Sequence, residues 1–300
     1  MRNEPLVSVV IPTYNYASYL PKALTSCLSQ TYQNIEIIVV DDDSTDGTRE
    51  LLHQYGDRVR YVHQEHKGAS AARNKGLSLA RGEFINFLDA DDYFTDDSIE
   101  VRLQILSKDH EIGAVISGSY RERESSVGTK PITTFKPKVK QDTMSEKFYE
   151  DLLLQRISFA TCTALIRSSL AKRFKFPVNI TNGEDIAYFT KIFFCTKGYY
   201  LARPTAVVFK HPASLRHDIE KIGSQGVALV DTVLDDNFYE GKLEYLRPEF
   251  MSMTYLSLSR SFYRAADKKR ARKYYIAGIK HKPSNILQLN SLTKFLRSFF

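Results

Sequence analysis

Paired cysteines are missing from this sequence. Cys27, Cys162 and Cys195 stand alone with no CxxC spacing. That excludes a disulfide framework and a cysteine-held zinc site, and it fits a reducing compartment. Long apolar runs are missing too. The opening stretch MRNEPLVSVVIP has an apolar part too short for a signal peptide. No window approaches the ~20 apolar residues of a membrane span. A cytoplasmic protein is expected, with attachment to the inner face of a membrane as an open alternative. Acids are nearly missing from residues 260–300, which hold 11 Lys/Arg against the one acid Asp267. That segment carries +10, and because the whole chain is +7 the remainder is −3. Basicity is therefore a local property. It suits an anionic partner, a membrane surface or nucleic acid, and equally a solvated helical face.

What is present is an ordinary globular composition, 43% hydrophobic and 26% charged over 300 residues. A chain of this length buries roughly three quarters of its unfolded surface, enough for one large domain or a domain with an appendage. The first 120 residues alternate strand and helix signals. Strands are expected at Leu6–Pro12, Ile35–Val40, Val59–His63, Glu83–Leu88 and in GAVISGS. Helices are expected at Ser18–Gln30 with Ser18 as N-cap, from STDGTRELLHQY, at Ser70–Ala80, and in DDSIEVRLQILSKD. This alternation implies βαβ units and a mostly parallel sheet. From Arg121 to Gln141 the pattern dissolves into a long loop of Arg, Glu, Ser, Thr, Lys and Pro. Beyond it come a helix in SEKFYEDLLLQ, a strand-like FATCTALIR, a helix opened by acids in NGEDIAYFTKIFF and a last strand in AVVFKH. After about Ser214 the pattern is helical throughout.

Ligands of open α/β sheets bind at the carboxyl ends of the strands. Three unusual stretches fall there: PTYN after the first strand, DDDSTD after the second and DADD after the fourth. Carboxylates crowded this way repel one another unless a cation or hydrogen-bond donors neutralise them. The first loop, PTYNYASY, contains no glycine, and no Walker loop occurs. The usual backbone cradles for phosphate are thus absent. A diphosphate bound here needs another counter-charge, and Mg²⁺ held by a few carboxylates is the obvious one.

VSVVIPTYN, IIVVDDDSTDGT, GASAARNKGL, GEFINFLDADD and GED follow one another in this order. Together they make the chain resemble the family 2 inverting glycosyltransferases over roughly residues 5–215. The resemblance implies the GT-A fold, an α/β architecture whose Rossmann-like, mostly parallel central sheet is flanked by helices. It further implies a catalytic domain at 1–215, divided into a nucleotide-binding half at 1–120 and an acceptor half at 121–215, with a helical C-terminal extension at 216–300. The reaction implied is transfer of a sugar from a nucleotide-sugar, with UDP as the expected nucleotide, to a hydroxyl of a glycan or lipid-linked acceptor in surface polysaccharide or glycoconjugate synthesis. By the same resemblance Pro12, Tyr14 and Asn15 bind the nucleotide, with Tyr14 packing on the base. Asp42 accepts a hydrogen bond from uracil N3–H, which suits an acceptor-only carboxylate. Asp43 stands where the family often has glycine. Arg73 and Asn74 lie near the phosphates or sugar. Asp89 contacts the ribose or metal-bound water. Asp91, with His211, holds Mn²⁺ or Mg²⁺. Asp185 is the catalytic base that takes the acceptor's proton, and Glu184 faces acceptor or sugar. Asp41 and Asp46 also fit turn and cap roles.

In the C-terminal segment, SFYRAADKKRARKYYIAGIKHKP resembles one tetratricopeptide-like helical hairpin. Ile286, Leu289, Leu292, Phe295, Leu296, Phe299 and Phe300 then recur near i, i+3, i+4, with Lys294 and Arg297 between them. That spacing suits a basic amphipathic helix on a membrane or a helix packing its apolar stripe on the catalytic domain or a second subunit. Rival readings of the whole chain are a nucleotide-sugar-binding scaffold and a nucleotidyltransferase, which would want a Gly/Arg/Lys-rich phosphate loop near the N-terminus. A nucleic-acid partner is not expected, since no recognition motif accompanies the basic tail.

Overall fold

A computed structural model describes residues 4–123, 132–135, 138–180, 182–211, 223, 226 and 228–299. Phe300, the expected boundary at 215/216 and residues 124–131 and 136–137 of the expected loop lie outside these. The chain forms two compact units. The first comprises residues 1–178 and 188–211, and the second 179–187 and 212–300.

The first unit is built on one mixed sheet. Its strands are β1 (Val7–Thr13), β2 (Ile35–Asp41), β3 (Arg60–His63), β4 (Phe84–Phe87), β5 (Tyr93–Phe94), β6 (Ile112–Arg123), β7 (Ile132–Thr134), β8 (Thr143–Ser145), β9 (Ala164–Arg167) and β10 (Lys197–Lys210). The order is β3-β2-β1-β4-β9-β6-β10-β5, with β7 paired to β6 and β8 to β10. Strands β3, β2, β1 and β4 run parallel. β9 enters antiparallel between β4 and β6, and β10 returns parallel to β6. All seven residues of β1 are buried, as a strand central to a sheet covered on both faces requires, and this is why VSVVIP reads as a nearly continuous apolar run. The helices of this unit are α1 (Leu20–Leu28), α2 (Thr48–His53), α3 (Ala69–Leu79), α4 (Ser98–Lys108), α5 (Phe148–Leu153), α6 (Ser168–Ala171) and, from Tyr188 on, α7 (Glu184–Phe194).

Three sequence expectations change. Ser18 does not cap α1: the Tyr19 and Leu20 amides both donate to the Tyr16 carbonyl, so Ser18 sits in the preceding turn, and Pro21 opens the helix where an amide N–H is dispensable. The stretch after Arg121 is not all loop. β6 continues to Arg123, and Ile132–Thr134 returns antiparallel beside it. The last strand begins at Lys197, well before AVVFKH, because register shifts flanking Pro204 let it pass through a residue that cannot donate to the ladder.

One buried carboxylate ties the far side of this sheet together. Glu122 of β6 accepts hydrogen bonds from Lys22 of α1 at 2.9 Å, Tyr93 of β5 at 2.8 Å and Thr133 of β7 at 3.2 Å. Burial pushes its carboxyl up, and the bonds from Lys22 and Tyr93 outweigh that, so it stays below the usual range. The Lys22 ammonium also lies 3.8 Å from the centroid of the Tyr93 ring.

In the second unit the helices Arg247–Arg264 and Lys268–His281 are joined by residues 265–267, with Asp267 capping the latter through the Arg270 amide at 2.8 Å. Leu258, Phe262 and Ala271 pack together. Gly278 allows the close approach: a Cβ there would lie 3.0 Å from Leu256 and 3.1 Å from the Ser252 carbonyl oxygen. The helix Leu289–Arg297 packs on this hairpin through Phe295, whose ring stacks on Tyr275 at 4.2 Å, and through Ser291, which accepts from Arg260 at 2.8 Å. The segment thus packs on its own unit's hairpin rather than on the catalytic domain, with Leu296 and Phe299 exposed. No helix among the described residues is long and apolar enough to cross a membrane.

Gly82, in the turn entering β4, tests how tightly the central strands are joined. A Cβ there would lie 2.6 Å from the Ser8 amide nitrogen and 2.8 Å from the Leu6 carbonyl oxygen, and backbone cannot swing aside. Gly82→Ala is expected to cost about 1–3 kcal/mol in urea unfolding. An unchanged midpoint and slope would show that the β1–β4 junction tolerates the methyl.

Candidate active site

Because β2, β1 and β4 are adjacent and parallel, their carboxyl ends lie along one edge of the first unit. The loops after them are laced together. The Asn15 side-chain oxygen accepts the Thr45 amide at 2.7 Å, and the Asn15 amide donates to Ser44 at 2.9 Å. Asp46 accepts the Ala17 amide at 2.9 Å and the Thr48 hydroxyl at 2.6 Å. Asp41 accepts the Ser44 amide at 3.0 Å and the Tyr61 hydroxyl at 3.1 Å. Asp41 and Asp46 are thus turn-building carboxylates. Asn15 and Asp43 both adopt positive φ, +56° and +72°. The latter explains why a glycine suits that position, since Asp is among the few side chains that tolerate this conformation.

Asp42 is buried and its carboxylate accepts three hydrogen bonds. One oxygen accepts the Gln64 side-chain amide at 2.6 Å and the Lys67 backbone amide at 2.8 Å. The other accepts the Gly68 amide at 2.8 Å and lies 3.0 Å from His66 Nδ1, which pairs at 3.1 Å with the Asp42 backbone carbonyl. An ionised carboxylate offers about four acceptor positions, and three are taken. Asp42 therefore holds the loop 64–68 against the end of β2. His66 is exposed. Its ring lies 4.3 Å from that of Tyr14, which is 42% exposed, so the two form an open aromatic surface beside Asp42. Sequence reasoning missed His66; its signal was a histidine one turn ahead of the helix carrying AARN. Pro12 lies buried inside β1.

The residues after β4 form a graded set. Asp89 accepts Arg73 at 2.7 Å. Arg73 is buried, so at least part of its guanidinium, expected near phosphate, is spent on that carboxylate. Asn74 exchanges two 2.8 Å hydrogen bonds with the backbone of Phe176, which makes it a brace for that segment. Asp91 lies 3.1 Å from His211 Nε2. Burial and the Asp89 carboxylate both push the Asp91 carboxyl up, and His211 opposes them. Asp92 is buried deeper: it accepts the Phe209 amide at 3.0 Å and the Cys162 thiol at 3.4 Å. Burial, with Asp91 and Asp89 beside it, pushes its carboxyl well up. Asp92 thereby pins β10 two residues before His211, which sets that ring against Asp91. His211 is enclosed by aromatics, stacked on Tyr19 at 4.1 Å with Tyr16 at 5.6 Å and Phe209 at 5.8 Å. These three rings, drawn from PTYNYASYL and AVVFK, were not anticipated as site residues.

No group of three or more His, Cys, Asp or Glu side chains among the described residues is arranged to hold a metal by itself. Asp91 and His211 fit a metal that draws its other ligands from a bound phosphate. Mg²⁺ is characteristically held by one or two protein groups plus substrate oxygens, at about 2.0–2.1 Å. Two ligands at right angles around such an ion stand about 3 Å apart, and the observed separation is 3.1 Å. A cation would also offset the desolvation of Asp91 and its repulsion by Asp89. Glu184 and Asp185 open α7 and belong to the second unit. Both gain from the positive end of the helix dipole, and Asp185 accepts the amide of Ile186 at 2.8 Å.

The sequence profile described as Glycosyl transferase family 2 matches residues 8–174. An uncharacterized glycosyltransferase of Haemophilus influenzae is 31% identical over 241 residues, covering 79% of this chain and 88% of that protein. Glycosyltransferase GlyG of Streptococcus pneumoniae is 44% identical over 128 residues, 41% of this chain and 42% of GlyG, so the match spans less than half of that relative. The crystal structure of S. aureus TarS 1-349 in complex with UDP-GlcNAc superposes with a TM-score of 0.67 at 19% identity, over 98% of this chain and 89% of that one. At that identity the likeness is one of fold, and it establishes the GT-A architecture.

Asp42→Asn places an NH₂ group against backbone donors that now face a carboxylate. The unliganded protein is expected to lose roughly 1.5–3 kcal/mol in chemical unfolding, the usual worth of a hydrogen bond to a charged group. If Asp42 served only a ligand, the stability of the unliganded protein would not change.

Proposed function

The chain belongs to glycosyl transferase family 2 and is a glycosyltransferase, and from that premise we propose that it transfers a sugar from a UDP-sugar, with inversion, to a hydroxyl of a glycan or lipid-linked glycan. The observation that carries this reading is the gathering, along one sheet edge, of an exposed aromatic pair, Tyr14 and His66, with the Asp91–His211 couple. A nucleoside diphosphate needs both: a flat apolar face for the base and a counter-charge for the phosphates. That TarS, which shares the fold, binds UDP-GlcNAc supports the nucleotide class.

Asp91 and His211 would hold Mn²⁺ or Mg²⁺. When bound, the metal supplies a Lewis acid that offsets charge on the departing diphosphate. The chain's own residues do the remainder. Tyr14 offers its ring to the base. Arg73 holds Asp89 in place, so that Asp89 presents its remaining acceptor capacity to a ribose hydroxyl or metal-bound water. Asp185 takes the proton of the acceptor hydroxyl as the new bond to the anomeric carbon forms and the bond to the phosphate oxygen breaks. One displacement inverts the centre without a covalent enzyme intermediate. Glu184 is assigned to acceptor or sugar.

Calorimetric titration of UDP is expected to show binding with Mn²⁺ that EDTA abolishes. Binding unaffected by EDTA would remove the metal from the reading, and no binding in either condition would remove UDP. Asp185→Asn is expected to retain UDP affinity while turnover falls on the order of 10²–10⁴-fold, the usual contribution of a positioned base. Retained turnover would take the role from Asp185.

A further inference from the structure

The second unit carries a surface that sugar transfer does not explain. Along the helix Lys268–His281, Lys269, Lys273, Ile276 and Lys280 recur at i, i+4, i+7 and i+11, and therefore share one face. All four are exposed, Ile276 by 48%. None of these three lysines makes an ion pair among the described residues. Beside them lies an open apolar groove lined by Tyr275, Ile276, Ile279, Lys280, Pro283 and Ile286. Ile286 is 46% exposed, and Leu287 next to it 77%. Such apolar exposure costs free energy in water and is normally covered.

The neighbouring cations are used differently. Arg270 pairs with its own cap Asp267, Arg260 donates to Ser291, and Arg272 donates to the Ser298 carbonyl. Those three serve the unit's own packing. Lys269, Lys273 and Lys280 remain as a row of unpaired charge flanking aliphatic side chains. The alternation of lysine with isoleucine on one exposed face narrows the partner. A nucleic-acid backbone would satisfy the lysines but leaves Ile276, Ile286 and Leu287 with nothing apolar to meet. A bilayer satisfies both, with anionic headgroups at the lysines and acyl chains below for the aliphatic residues.

We propose that the face of the helix Lys268–His281, together with Ile286 and Leu287, docks on the surface of a bilayer containing anionic lipid. The helix lies in the interface plane, with the aliphatic side chains entering the headgroup–acyl boundary and the lysines at headgroup level. This places the chain where a lipid-linked acceptor is found. It does not rest on the assignment of donor, metal or base, and its test uses no nucleotide.

The test is flotation of the full chain with vesicles of phosphatidylcholine alone and of phosphatidylcholine with 30% phosphatidylglycerol, at low and high salt. Partition into the anionic vesicles, lost at high salt and absent from the neutral ones, is expected. Lys269→Gln/Lys273→Gln/Lys280→Gln is expected to weaken partition about 5-fold per charge, on the order of 100-fold together. Ile276→Ser/Ile286→Ser/Leu287→Ser is expected to weaken it at least about 10-fold. These positions are exposed, and unchanged circular dichroism melting would show that both variants fold. No partition into either vesicle overturns the proposal. So does equal partition into both, or retention by the serine variant. Size-exclusion chromatography and binding of a single-stranded oligonucleotide supply the remaining arms. If the serine variant dissociates a dimer while its partition is unchanged, the face is a subunit contact. If the chain binds the oligonucleotide but not the vesicles, it is a nucleic-acid surface.

Discussion

Carboxylates placed side by side at the end of a buried strand must each find a separate source of positive charge, and this constraint organises the first unit. The answers differ residue by residue. Asp41 and Asp46 are satisfied by turn amides and hydroxyls. Asp42 takes two backbone amides and a glutamine, with a histidine ring nitrogen 3.0 Å away. Asp89 takes a buried arginine. Asp92 has one amide and a thiol, which do not offset its burial, and its carboxyl is pushed well up. Asp91 alone combines partial exposure, a histidine contact and an upward push from burial and Asp89. Unlike the deeper Asp92, it is partly open to solvent, and so it is the accessible carboxylate of the pair that gains from a cation.

The same satisfied acids supply rigidity. By gripping the amides of Lys67 and Gly68, Asp42 fixes the entry to α3. Arg73, on the first turns of that helix, then meets Asp89 across the edge. Asp92 fixes β10 to the loop after β4, so that His211 faces Asp91 inside a wall of Tyr16, Tyr19 and Phe209. Acids that look like a binding motif thus include several that build the edge itself. The build residues need not touch substrate for their loss to be felt.

The second unit follows a different logic. Its hairpin buries Leu258, Phe262 and Ala271, and Gly278 lets the two helices approach closely. With aromatic and arginine contacts spent inside, the remaining lysines and aliphatic residues define its outer face. Segregation of charge along the chain, −3 before Arg260 and +10 from Arg260 onward, thus puts three lysines on one exposed helix face.

Much of this was legible from the order of residues. Apolar runs bounded by acids gave the parallel strands, because a strand buried on both faces has no polar side to show. The motifs PTYN, DDDSTD and DADD converge on one edge because β2, β1 and β4 are neighbours, as the βαβ pattern implies. The sequence by itself thus determined the family, the sheet edge and the acids gathered there, since these follow from local periodicity and strand direction. Which acid does what was decided only by tertiary structure. That Asp42, Arg73 and Asn74, read as ligand contacts, also hold partners at 64–68, Asp89 and Phe176 is visible only in the folded chain. Likewise β9 entering antiparallel, β10 passing through Pro204 and the aromatic wall at His211 join residues far apart in the chain. A carboxylate's role depends on which donors surround it, and that is a property of folded space rather than of neighbours in sequence.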